Sequence, residues 1–299
     1  MTDRLSRISN AAKLLAWIAA WSYHPATMEA QLQKPDLVRR HHFAGESYPS
    51  DPALLGETIE QRISDTSRSA AVKGDIGAIV TSAMTGSLYA ASDLGALRAL
   101  NRKKYSTVVV IASAQLSFFD YASVYLGGAY DTPLGRVFVD LPMAARMANL
   151  HPKVVFSNNG HSGGKEAEYS IEMVLPFLQM LIGNFRIVPI VMGSDDESTV
   201  VGVGEALAAA VDPKSTLIIG CSELQFQPDH DNDKARSIVE AAEKFDWRML
   251  YDRLRNSGAA GTAPLASIVY AARRLRINRV EALIQSEKSE SGLSFVLLR

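Results

Sequence analysis

Apolar positions along the chain fall into two textures. From residue 78 onward, short runs rich in β-branched residues recur at 78–80, 107–112, 137–139, 153–156, 187–192 and 216–219. They lack polar alternation, which is the pattern of strands covered on both faces. Between several of them lie stretches with helical spacing, at 92–100, 169–181 and 198–211. Two longer helical stretches follow, 233–256 and 264–275. Two closing strands, 282–285 and 293–298, are joined by a Ser289-Glu290-Ser291-Gly292 turn. Strands alternating with helices predict an α/β fold: a mostly parallel, mixed sheet with helices on both faces and the final pair as an antiparallel edge.

Upstream, Asp51-Pro52 predicts a helix start, with Leu54, Leu55, Ile59 and Ile63 on its apolar face. Residues 9–21 read as an amphipathic helix on which Trp17, Ala20 and Trp21 share a face, expected to pack across a subunit boundary. The chain therefore divides into an N-terminal helical extension and linker, 1–35, and one α/β domain, 36–299. The apolar stretch 14–21, preceded by Arg4, Arg7 and Lys13, has the outline of a secretory leader. It is short and lacks a small-x-small cleavage site, so a cytoplasmic location is the expectation. No run reaches the roughly 20 apolar residues of a membrane span.

Composition narrows the classes. With 47% hydrophobic and 21% charged residues the chain of 299 is globular in type. Lys and Arg total 31 against 32 Asp and Glu, so no excess of base is available to neutralise phosphates, and nucleic acid is not an expected partner. The sole cysteine, Cys221, rules out an intramolecular disulfide and a CxxC zinc site. Ligands of open α/β sheets bind beyond the carboxyl ends of the strands. That rule directs attention to residues 81–86, 113–117, 157–164 and 220–226.

Several local motifs carry a resemblance, in the same order along residues 38–299. They are Phe43-Ala44-Gly45-Glu46-Ser47-Tyr48-Pro49; Tyr130-Asp131-Thr132-Pro133-Leu134-Gly135 with Asp140; Glu168-Tyr169-Ser170-Ile171-Glu172 running into Leu175-Pro176-Phe177-Leu178-Gln179; Ile187-Val188-Pro189-Ile190 with Gly193; and Gly261-Thr262-Ala263-Pro264-Leu265. Together they resemble the Memo family, protein B of the AmmeMemoRadiSam system. The resemblance implies a fold similar to class III extradiol dioxygenases, which use non-haem iron. It also implies a site of two or three histidines and a cysteine at the strand ends, suited to iron, copper or zinc.

The chain departs from that pattern at each position. The family's first histidine falls at Met84, or at Ala83 after a one-residue shift. The second falls at Gln115, the third at Tyr169, and the last at Phe226, with Glu223 in place of an aspartate. The family's cysteine falls at Ala260. None of the six histidines stands at a matching position. A catalytic metal needs about three protein ligands and an open position, so no metal or cofactor is expected.

Other candidates have a plain reading beside a functional one. His161, in a glycine-rich loop, is expected to be a solvated histidine, with a relocated ligand or base as the alternative. Cys221 is expected to be a small buried hydrophobe rather than a nucleophile. Asp231 or Asp233 beside His230 is expected to cap a helix, and His41-His42 point to opposite faces. Glu172 is expected to be structural, favoured by a helix dipole. Glu223 could anchor a polar ligand. The leading expectation is a pseudoenzyme subunit that binds a small molecule or supports a partner, through a pocket of Met84, Gln115, Tyr169, Glu223, Phe226 and Ala260, with His161 and Cys221 nearby. That partner would be a second copy or an intact Memo relative. The alternative is an enzyme in the same pocket, either oxidoreductase and dioxygenase-like or metal-free through Tyr169, Glu223 and Cys221. A further alternative keeps non-haem iron or another divalent metal through relocated ligands.

Overall fold

The computed structural model of the chain describes residues 37–66, 74–81, 104–162, 164, 168–222, 224–226, 232–259, 261–287 and 290–299. The expected helices at 9–21 and 92–100 lie outside these residues. The core is a nine-stranded mixed sheet. Its centre is four parallel strands in the spatial order β2 (Ile76–Thr81), β9 (Thr216–Cys221), β3 (Thr107–Ser113), β8 (Arg186–Met192). Every residue of β2, β3 and β9 is buried, which is why their sequences show no polar alternation. Beyond β8 lie β4 (Ala122–Tyr125), antiparallel to it, and β7 (Val154–Ser157), parallel to β4. On the other side, β12 (Glu290–Leu298) runs antiparallel to β2 and pairs with β11 (Arg279–Glu287).

Register places the remaining strand. β11 holds one edge of β12 along its whole length, so β2 and β10 (Gln225–Phe226) must share the other edge. β2 meets β12 from Phe295 onward, whereas β10 meets it at Ser291 and Gly292. β10 therefore continues the line of β2 past its carboxyl end. A second sheet of three strands joins β1 (Val38–Arg39), β5 (Ala129–Thr132) and β6 (Gly135–Phe138). One helical layer contains α2 (Leu141–Ala148), α4 (Glu197–Ala210) and α7 (Ala263–Ala271); α1 (Pro52–Thr66) and α3 (Ser170–Ile182) pack together with the small sheet. No helix among the described residues is long and apolar enough to cross a membrane.

Four local expectations need correction. The run 137–139 joins the small sheet and touches the large one only through a Val139–Ile187 bridge. The stretch 233–256 divides into α5 (Asn232–Glu243) and α6 (Trp247–Ser257), because Phe245 takes φ +52° and the Asp246 side chain accepts from Met249 N to start a new helix. Ser291 and Gly292 sit in the β11–β12 ladder, so the reversal falls between Glu287 and Glu290. Leu54 is exposed, while Leu55, Ile59 and Ile63 are buried.

Two motif pieces meet in space. Thr132 Oγ1 donates to Gln179 Oε1 at 2.6 Å, and Gln179 Nε2 donates to Gly135 O at 3.2 Å. The hairpin turn is thereby fixed to α3. That helix is buried on nearly every side, and its first turn carries Glu172. The Glu172 carboxylate accepts from Arg39 Nη1 at 2.5 Å, His42 N at 2.9 Å, Phe43 N at 2.8 Å and Tyr48 Oη at 2.7 Å. Burial alone would raise its pKa, but the Arg39 guanidinium and these donors outweigh burial and hold it low. Arg39 also donates to Glu168 O at 2.8 Å and lies over the Tyr130 ring at 5.1 Å. A helix dipole is a small part of this; a matched buried charge is the larger one.

Removing one partner of a buried ion pair costs about 3–5 kcal/mol, because the other charge is left uncompensated. Glu172→Ala and Arg39→Ala are each expected to destabilise by that order in urea unfolding, and the double variant by less than the sum. A Glu172→Ala cost within experimental error of zero would contradict this assignment.

Candidate functional site

The parallel strands β2, β9, β3 and β8 end together. Thr81 pairs with Cys221, Ala112 with Cys221, and Ser113 with Met192. A cavity of about 770 Å³ opens at the ends of β3 and β8. Ser113, Ala114 and Gln115 form one wall, Met192, Gly193, Ser194 and Asp195 another, and Phe118, Phe119, Asp120 and Gly261 complete it. Gly193 is needed here for space: a Cβ would fall 2.2 Å from the Phe119 ring. That ring lies 4.7 Å from Tyr121, centroid to centroid, and Phe119 N donates to Gly193 O at 3.2 Å.

Beside the cavity a short polar chain runs into the protein. Gln115 Nε2 donates to Ser170 Oγ at 3.4 Å, and the Ser170 hydroxyl is bonded to Glu168. Glu168 also accepts from the backbone N–H groups of Ser170 and Ile171, so its carboxylate starts α3. Burial raises the Glu168 pKa to about 7 against these bonds. Gln115 Oε1, Ser113 Oγ and Ser222 Oγ are buried without a partner. Such groups cost free energy unless something completes them.

The expected site residues divide. Gln115 lines the cavity, and Gly261, next to the Ala260 position, lines it too. Tyr169 stands at the same end, directly before Ser170, buried and edge-on to Phe43 with centroids 5.9 Å apart. Cys221 ends β9 and is buried. The backbone of Phe226 lies in β10, past the end of β2. Met84, Glu223, Ala260 and the Asp231–His230 pair lie outside the described residues. Sequence reasoning points to 113–117 and names Gly193, but misses Phe118, Phe119 and Asp195. Two consecutive aromatics just past a strand end, in a polar loop, were the available signal.

His161 is neither solvated nor free. It is 1% exposed. Its Nε2 lies 3.0 Å from Ser123 O and its Nδ1 2.6 Å from Tyr130 Oη. A carbonyl only accepts, so Nε2 carries the proton and Nδ1 accepts from the tyrosine. Burial drives its pKa down to about 3, and both nitrogens are spent. It faces a separate cleft of about 240 Å³, with Arg39 and His42, away from the larger cavity.

The described side chains at this end do not by themselves make a donor set for a metal of the extradiol-dioxygenase type. A metal ligand needs an available lone pair or a deprotonated thiol. His161 has no lone pair to give. Burial, with Glu168 nearby, pushes the Cys221 thiol well above its ordinary pKa. Gln115 brings a neutral carboxamide. Among the described residues no group of three His, Cys, Asp or Glu side chains converges.

Comparison with known proteins points in one direction. A family model described as Memo-like protein matches residues 39–293. A MEMO1 family protein of Methanosarcina barkeri is 28% identical over 268 residues, covering 85% of this chain and 94% of that protein. One of Methanosarcina acetivorans is 34% identical over 170 residues, covering 54% of this chain and 60% of that protein. One of Thermoplasma acidophilum is 28% identical, covering 65% and 72%. An uncharacterized Escherichia coli K12 protein of known structure covers 75% of this chain and 100% of its own at 17% identity; its TM-score of 0.45 is too low to carry weight.

His161 gives a pH signature. Its folded pKa lies below its unfolded value near 6.5, so its neutral form stabilises the fold above pH 6.5, and that contribution is lost as pH falls towards 3. Below pH 6.5 it should contribute a slope of about 1.4 kcal/mol per pH unit. His161→Gln is expected to be less stable at pH 7.5 and to lose less stability between pH 6.5 and 5 than the unaltered chain. Equal slopes in urea unfolding would refute the buried neutral assignment.

Proposed function

The chain belongs to the Memo-like protein family, and we propose that it acts there as a ligand-binding member whose strand-end site works without a metal. The observation that carries this reading is the state of the side chains at that site. Where the family pattern calls for imidazole and thiolate, the described part of the site offers Gln115 and a buried Tyr169, while both ring nitrogens of His161 are already hydrogen-bonded and Cys221 is buried. A cavity opens at the strand ends. At about 770 Å³ it lies within the roughly 300–1,000 Å³ of small-molecule pockets. Apolar walls of Phe118, Phe119 and Met192 with a few polar groups are the composition such pockets use.

In this reading the architecture of a catalytic fold is kept and its redox centre is not. Binding or release of a small organic molecule becomes the signal or the cargo. A second copy or an intact relative is the partner that would read it. No step of oxygen or metal chemistry is required of this chain.

The test is metal analysis of the purified full chain, before and after soaking in iron(II), copper(II) or zinc(II) with removal of loose metal. Content far below one equivalent is expected in each case. Close to one tightly held equivalent, lost on Cys221→Ser or Gln115→Ala, would overturn the proposal.

A further inference from the structure

The proposed binding function leaves open which ligands the cavity accepts, and its polar groups are lopsided. Ser113 is 5% exposed, lines the cavity, and keeps Oγ without a partner. Gln115 also lines it and keeps Oε1 without a partner. The orientation of that amide follows from its neighbours. Its Nε2 donates to Ser170 Oγ at 3.4 Å, which leaves the carbonyl oxygen as the unspent end. Gln115 therefore offers an acceptor.

The charges have one sign. Among the described lining residues are Asp120 and Asp195, and none is Lys, Arg or His. Asp120 is partly answered by Lys153, 3.4 Å away. Asp195 makes no ion pair among the described residues. Arg255 is within electrostatic reach of it but donates to Tyr251 Oη at 3.0 Å and packs on the Tyr251 ring. The Asp195 carboxylate keeps solvent contact, yet the rim desolvates it enough to raise its pKa, with Arg255 opposing. The apolar lining includes the Phe119 ring and, exposed at the rim, the Phe118 ring, whose faces attract cations.

On the reading that this cavity binds a ligand, we propose that it takes organic ammonium ions with an aromatic or similarly bulky apolar body. The ammonium would answer Asp195 at the rim, on the side where the unpaired oxygens of Gln115 and Ser113 lie just beneath the cavity wall, while the body fills the space between Phe118, Phe119 and Met192. An anion of the same shape would meet acceptors and negative charge and would bring nothing to satisfy them. Sites with buried polar groups reject ligands that leave those groups unpaired.

Three probes with one phenyl body separate the possibilities: 2-phenylethylammonium, 2-phenylethanol and 3-phenylpropionate, titrated calorimetrically into the full chain at neutral pH. The ammonium is expected to bind about tenfold or more tighter than the alcohol, a difference of about 1.4 kcal/mol, and the carboxylate weakest. Asp195→Asn should bring the ammonium close to the alcohol without weakening the alcohol. Ala114→Phe, which places a ring across the cavity, should abolish binding of both. Carboxylate binding equal to or tighter than the ammonium, or an ammonium preference untouched by Asp195→Asn, would overturn the charge selectivity and leave the pocket reading in place. No binding of any probe, or binding unaffected by Ala114→Phe, would overturn both.

Discussion

The site depends on one buried carboxylate. Glu172 gathers a guanidinium, two backbone N–H groups and a tyrosine hydroxyl from residues 39–48, all on the first turn of α3. A carboxylate removed from water in this way is tolerable only when its charge and its lone pairs are matched. The match fixes α3 against the small sheet. It thereby fixes Glu168 and Ser170, which start the same helix, and through Ser170 the side chain of Gln115 at the cavity. Gln179 ties the last turn of the helix to the Thr132 turn. The cavity wall on the α3 side is thus set by polar contacts, and the opposite wall by the Phe119–Gly193 contact.

Much of this was legible in the order of residues, and the reasons for the rest are local. The doubly buried strands β2, β3, β8 and β9 announce themselves because nothing polar interrupts them. β4 and β5 are four residues each, and β1 and β10 two, too short to show a period. The break at Phe245 is a backbone event at a residue type with no preference for positive φ. A glycine-rich loop implies an exposed His161, whereas Gly160 takes φ +79° and turns the histidine inward beneath Tyr125 and Tyr130. The structural role of Glu172 is legible from its place on the helix, but its counter-ion Arg39 is 133 residues away and no local pattern could name it.

The quoted motifs also divide by what they do in space. Thr132, Gln179, Tyr48 and Glu172 hold elements together, and Asp140 caps α2 while accepting from Thr107. These framework residues follow the family pattern. On the proposed reading, the positions where that pattern calls for coordinating side chains do not; among those described, Gln115 borders the cavity while Tyr169 is buried against Phe43. A fold can be kept by one set of residues while the chemistry of its pocket is rewritten by another.

The most direct test of that division is to restore the family's side chains and ask whether coordination returns. A chain carrying Gln115→His, Tyr169→His and Ala260→Cys would be titrated with zinc(II) and copper(II), beside the unaltered chain and with folding checked by circular dichroism. The account predicts that the folded triple variant takes up about one equivalent that the unaltered chain does not, since three side-chain ligands and an open position make a metal site. An unaltered chain that binds metal as tightly as the triple variant would contradict it.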